Sequence, residues 1–326
     1  MARLLGECAK VLPARPKLRG IGLATEQHVR EETTRARAAV AAMDAPARPV
    51  ADLTAEDVRR PLDAQAARPA TARAHFGALS RFLDWCQDAS YVELNPCAMV
   101  AKARRPKSVQ TRAHYLTLPD LAKLWKATDG LAHPVWRDLA RFLIAIPCRR
   151  GEAVALDWRD LDMDLTCPQW RQAAGTTKNG EAHRLHLHPL ALAVLRSRHA
   201  AAGKPKAGLV FRSPRAGKAV DTFSDMKAAL DEAAGIAGWR WHDFRRSFAT
   251  ALGEAGVTEA TANAMLNHKA SATRGGVLGV YQRATDWPGQ VAAMKAWGAA
   301  PATALDPKAK RASDAVVPIR RGKRAA

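Results

Sequence analysis

The sequence predicts a mainly α-helical chain with one small antiparallel β-sheet, divided into two domains. Three observations carry that expectation. The 326 residues exceed the usual size of a single hydrophobic core. Apolar residues recur at three-to-four spacing over most of the length, the period of a helix with one buried face. One stretch, residues 165–188, breaks that period with short strand-like runs around a turn.

Along the chain, Thr54 and Asp57 have the spacing of a capping box ahead of a short helix. In ATARAHFGALSRFLDWCQDAS, Phe76, Leu79, Phe82, Leu83 and Cys86 define one buried helical face. Asn95-Pro96 closes a first domain expected over residues 1–100. The run KARRPKSVQTR lacks helical period and is interrupted by Pro106, so residues 101–116 are expected to link the domains. Thr117 and Pro119 start the next helix, and PVWRDLARFLIAI supplies another with Val135, Leu139, Phe142, Leu143 and Ile146 facing inward. Strands CPQWRQ and RLHLHP are expected around a tight turn at Asn179-Gly180. Helices are expected at 189–201, 220–234, 242–254, 258–266 and 290–298, which places the second domain over 117–300. Residues 301–326 read as a basic, disordered tail.

A formal net charge of +20 and an isoelectric point near 10.4 call for a polyanionic partner, of which nucleic acid is the leading candidate. The charge is unevenly placed: residues 1–100 carry 14 − 12 = +2, and residues 101–326 carry 37 − 19 = +18. Residues 101–112 hold five basic side chains and no acid, and 307–326 hold seven against Asp314. The five cysteines, Cys8, Cys86, Cys97, Cys148 and Cys167, are dispersed, with no Cys-x-x-Cys pair for zinc or redox work. No apolar run approaches the roughly 18 residues of a membrane helix, and charges break the opening MARLLGECAKVLPARPK, so a cytoplasmic protein is expected.

Several short motifs carry chemistry. Arg149 lies in PCRRGEAVAL at the end of an apolar helix, Lys178 in TTKNGEAHR at the turn, His242 and Arg245 in HDFRRSFAT, His268 in LNHK, and Tyr281 in GVYQRA. His242 and Arg245 are three apart and share a helix face, where together they would hold one phosphate. A nucleophile, fixed positive charge and a mobile proton donor, with no metal site in the pattern, suit phosphodiester exchange through a covalent link to DNA. Each motif alone is weak. His-x-x-Arg is common, Arg149 would pair with Glu152 in an ordinary surface reading, and turn lysines are usually exposed. His183, His186 and His188 lack an acidic or cysteine partner for a metal and read as DNA-side or solvent-exposed strand residues. Trp239 and Trp241 read as packing beneath His242, and Arg246 as pointing away from Arg245.

Taken in order, these motifs resemble the catalytic domain of the tyrosine recombinases, the phage-integrase family, over about residues 115–300. The stretch TARAHFGALSRFLDWCQDASYVELNP resembles the end of that family's helical core-binding domain. The resemblance implies a helical core-binding domain plus a tyrosine-recombinase catalytic domain, in a site-specific recombinase that needs neither cofactor nor metal. Tyr281 would attack the scissile phosphate to form a 3′-phosphotyrosyl bond. Arg149, Arg245, His242 and His268 would stabilise the phosphate charge, and Lys178 would protonate the leaving 5′ oxygen. Implied partners are double-stranded DNA, three further copies of the chain in a synaptic tetramer, and DNA-bending accessory proteins, in a nucleoid-associated setting. Lys102, Arg104, Arg105 and Lys107 would lie beside the DNA. Three departures stand out: Ile146-Pro147 replaces Thr-Gly before the first arginine, Asn267 replaces glycine before the second histidine, and the Gly-rich KASATRGGVLGV before Tyr281 is longer than usual. Competing readings are a DNA-binding protein on this scaffold that no longer cuts, and a relaxing topoisomerase of type IB chemistry.

Overall fold

In a computed structural model of the chain, the residues described are 1–12, 26–43, 48–107, 113–177, 180–213, 217–267 and 286–305. The fold is mostly helical with one three-stranded antiparallel sheet, and the chain divides into two compact units, Met1–Arg112 and Ala113–Ala326.

Unit 1 contains α1 (Ala2–Val11), α2 (Glu26–Ala41), α3 (Ala55–Ala64), α4 (Pro69–Asp88) and α5 (Pro96–Met99). The α3 capping box is present, with Asp57 N donating to Thr54 Oγ1 and Thr54 N to Asp57 Oδ2. Helix α4 turns Leu79, Phe82, Leu83 and Cys86 into the unit's core, with Phe76 half-buried at its edge. Glu32 of α2 is buried against α4, where the Arg81 Nε donates to Oε2 at 2.7 Å and Arg35 donates to Oε1 at 3.1 Å. Asn95 caps α5 through Cys97 N rather than ending the unit. Part of the basic run expected as an irregular linker is folded: Lys102–Arg104 form a 3-10 turn, and Arg105 donates to the carbonyls of Val100 and Ala98 at 2.8 Å each. Arg105 thereby closes the end of α5, while Lys102, Arg104 and Lys107 remain exposed.

Unit 2 opens with α6 (Leu118–Ala127), again started by a capping box, here Thr117 with Asp120. The central helix, α7 (Pro134–Ala145), buries Val135, Leu139, Phe142 and Leu143, and Ile146 follows fully buried. Next come α8 (Arg150–Val154), β1 (Leu161–Asp162), β2 (Gln169–Gln172) and β3 (His183–His186), paired in the order β1-β2-β3. The register sets Trp170 opposite Leu185, both buried against Phe142 and the core around it. Gly180 N donates to Thr177 O at 3.1 Å, while Asn179 of the expected turn lies outside the described residues; strand pairing stops at Gln172 and His183.

Among the described residues, the remaining helices are α9 (Pro189–Ala201), α10 (Phe223–Ala234), α11 (Asp243–Glu254), α12 (Glu259–Met265) and α13 (Trp287–Leu305). Helix α13 is longer than the 290–298 expected, and residues 301–305, assigned by sequence to a disordered tail, are helical despite Pro301. It starts at Asp286, whose carboxylate accepts from Gly289 N at 3.0 Å and from the Thr261 hydroxyl on α12 at 3.1 Å. It packs on α6, α9 and β3 of its own chain. At its centre Gly298 lies against His188: a Cβ there would sit 2.2 Å from His188 Nδ1. Among the described residues, no helix is long and apolar enough to cross a membrane, and no group of three His, Cys, Asp or Glu is placed to hold a metal.

Candidate active site

Arg149 is positioned by the way α7 ends. Pro147 has no N–H to extend the helix, and Ile146 is already extended at φ −116° and ψ 127°. The turn that Thr-Gly would form is made here by Cys148 N donating to Ile146 O at 2.8 Å, after which Arg149 stands at the cap of α8. Glu152, three residues on, fixes it twice: Oε2 accepts from Arg149 N at 2.8 Å, and Oε1 takes Arg149 Nη1 at 2.5 Å. The surface-type pairing with Glu152 is therefore real, but it leaves Nη2 to reach 118 residues away and donate to Asn267 O at 3.3 Å.

Arg245 comes from the first turn of α11. Its side chain is buried, with Nη1 on Pro147 O at 2.6 Å and Nη2 on Leu266 O. The two guanidiniums thus converge on consecutive carbonyls, Leu266 and Asn267, at the end of α12. Burial and the neighbouring Arg149 lower the Arg245 pKa to about 10, with Glu152 opposing the shift, so Arg245 stays charged at neutral pH. Asn267 adopts the left-handed conformation, φ +44°, the role a glycine would fill in the family pattern.

His242 caps α11 on the same face as Arg245 and keeps a solvent-exposed edge. Partial burial of the ring, then the charges of Arg245 and Arg246, lower its pKa, so the imidazole is neutral at pH 7. The helix start is fixed from below by aromatic packing, with Trp239 and Trp241 centroids 5.2 Å apart and Trp239 and Phe244 also 5.2 Å apart. Trp239 is a core group and Trp241 packs, half-buried, against that core. Asp243, buried, accepts from Arg240 N and pairs with Arg246 at 3.3 Å, which holds Arg246 to structural duty.

Three of the sequence-selected residues, Arg149, His242 and Arg245, are thereby brought together. Lys178, His268 and Tyr281 lie outside the described residues; His268 follows directly on Asn267, whose carbonyl Arg149 holds.

The strand histidines correct an expectation. His186 and His188 are buried, not exposed, because β3 carries the core on one face and α13 on the other. His186 Nδ1 bonds Pro168 O at 2.9 Å, and His188 Nε2 bonds Ala145 O at 2.8 Å. Burial lowers the His188 pKa to about 4, so its ring is neutral and Nε2 carries the proton. His183 is the residue the sequence reading missed at the site: its Nε2 meets Ala264 O on α12 at 3.0 Å, and its pKa is lowered by burial and by Arg245 and Arg149. That partner lies 81 residues away, and no local pattern announces it.

The fold has counterparts among solved structures. The fold is similar to a lambda integrase (75–356) dimer bound to a COC′ core site, at 17% identity and TM-score 0.62 over 83% of this chain and 95% of that one. It is also similar to the Tn1549 transposon integrase in complex with circular intermediate DNA, at 12% identity and TM-score 0.60 over 90% and 98% of the two chains. A lambda integrase tetramer bound to a Holliday junction matches at 17% identity and TM-score 0.62 over 82% and 77%. No curated protein matches the chain. The model of the phage integrase family matches residues 114–276, half of the chain, a span that holds Arg149, His242, Arg245 and His268 and stops short of Tyr281. The chain belongs to the phage integrase family.

Proposed function

We propose that the protein is a site-specific DNA recombinase that cuts and rejoins strands through a 3′-phosphotyrosyl intermediate at Tyr281. The observation that carries this reading is the meeting of Arg149 and Arg245 at the end of α12, one residue before His268. Two charged guanidiniums held on backbone carbonyls form a ready cradle for the non-bridging oxygens of one phosphate. In the reaction, the Tyr281 oxygen bonds to phosphorus as the bond from phosphorus to the 5′ oxygen breaks. Lys178 gives the departing oxygen its proton, and a neutral imidazole, for which His242 is suited, takes the phenolic one. One ester replaces another, so no external energy source is required.

Double-stranded DNA is the proposed partner, with exposed Lys102, Arg104 and Lys107 on its backbone and Arg105 kept by its carbonyls. A tetramer on two sites is the proposed working assembly, on the pattern of the lambda integrase tetramer on a Holliday junction. Tyr281 rests on its place at the carboxy-terminal end of the motif order, since Tyr91 and Tyr115 both precede Arg149. The test is a pool of nicked duplexes of randomised sequence, from which DNA retained on the protein in hot detergent is recovered. Wild type should retain a sequence-restricted subset and Tyr281→Phe none, with similar reversible binding. Equal retention by both would refute the role of Tyr281. Reversible binding without retention by wild type would favour a non-cutting DNA-binding protein.

A further inference from the structure

We infer that His183 is a positioning residue of this site, acting with Arg149 and Arg245 to clamp the carboxyl end of α12. Its catalytic purpose rests on the recombinase reading above, whereas the clamp itself is a property of the fold. A helix leaves its last carbonyls without internal partners. In α12 those carbonyls are taken by side chains from three separate segments: Ala264 O by His183 from β3, Leu266 O by Arg245 from α11, and Asn267 O by Arg149 from the α7–α8 turn. Ala264 O also accepts Asn267 N at 3.1 Å, so the His183 bond closes the last turn where the chain swings into the left-handed Asn267.

The imidazole suits this duty. With Nε2–H on the carbonyl, Nδ1 is bare, and among the described residues that buried nitrogen has no hydrogen-bond partner. A second ring proton would be stranded there, close to Arg149 and Arg245 with Glu152 offsetting them in part, so the neutral donor form is the one the site selects. His183 is also the first residue of β3, five positions after Lys178. One side chain thereby ties the root of the segment carrying Lys178 to the helix end that leads into His268.

The test compares wild type, His183→Phe and His183→Gln. Phenylalanine fills the ring volume without a donor, and the glutamine amide restores one. The first readout needs no activity: deuterium uptake by the 259–267 segment should be at least about tenfold faster in the Phe variant and return to within about threefold of wild type in Gln. The second is single-turnover covalent attachment to the nicked duplexes that wild type retains. The Phe variant should react at least about tenfold more slowly with half-saturating DNA within about twofold of wild type, and Gln should recover most of the rate. Should the Phe variant fail to fold, His183→Asn, whose shorter amide falls short of Ala264 O, takes its place. Unchanged uptake, or a Gln variant as impaired as Phe, overturns the inference. If wild type attaches to no DNA, it is the recombinase reading that fails, and the uptake measurement alone decides the clamp.

Discussion

Helix ends α7 and α12 both stop inside unit 2, and both have their carbonyls taken by distant side chains, but the donors differ in kind. Ala145 O, in the last turn of α7, receives His188 Nε2 at 2.8 Å and Trp297 Nε1 at 3.1 Å. Both donors are neutral. The end of α12 receives Arg149, Arg245 and His183, two of them permanent cations. Neutral donors satisfy a carbonyl and add no self-repulsion, which makes the α7 end a packing lock. Cationic donors satisfy the same groups while gathering charge, and the Arg245 pKa is lowered first by burial and then by this repulsion from Arg149. An anion brought to α12 would relieve it; an anion at α7 would find nothing to neutralise.

The largest effect expected from this contrast is at Arg245. Arg245→Lys keeps a charge but loses the planar fork, and should slow covalent attachment by about 10²–10³-fold with folding retained. Substituting His188 by Gln should leave single-turnover attachment within about threefold. A rate loss at His188 as large as that at Arg245 would erase the distinction between lock and cradle.

The next effect is thermodynamic and belongs to the α7 end. His188 titrates near 6.5 when unfolded and at about 4 when folded, so between those values the unfolded chain holds more protons. The stability from its neutral burial is complete above pH 6.5 and is lost as pH falls toward 4, a change of about 3 kcal/mol. Urea titrations from pH 7 to pH 4 should show a shallower decline for His188→Gln than for wild type; parallel curves would assign the decline to other groups.

A somewhat smaller loss is expected where α13 crosses His188. Gly298→Ala would push a methyl into the imidazole and should destabilise the protein by about 1–3 kcal/mol. A melting temperature within a degree of wild type would show that α13 is not tightly held. The smallest effects are expected far from either helix end: Lys102→Ala, Arg104→Ala and Lys107→Ala should each lower the salt dependence of DNA binding by about one counterion, and Arg105→Ala should lower stability instead.

Much of this was legible before any coordinates. Thr54, Asp57, Thr117 and the stripe from Val135 to Ile146 are local signals, in which a cap or a period is complete within a few residues. His242 and Arg245 were legible as a pair for the same reason. The strand histidines were misread because alternation says which residues share a face, not how many faces are covered; with α13 on the far side of β3, His186 and His188 are buried along with Leu185 and Leu187. The last helix, expected at 290–298 ahead of a disordered tail, continues through Pro301 to Leu305. His183 was illegible because its meaning lies entirely in Ala264, and nothing in either segment announces the other.

Asp286, just ahead of α13, is tied to the Thr261 hydroxyl of α12. Asn267 and Thr261 both belong to the α12 region, so the described residues on either side of 268–285, Asn267 and Asp286, are both tied to one helix. Tyr281 is five residues from the returning anchor, and a fully stretched backbone covers roughly 17 Å over that length. Chain length alone keeps position 281 within that backbone radius while Asp286 holds, and under the proposed chemistry loosening Thr261 or Asp286 would extend the reach of Tyr281.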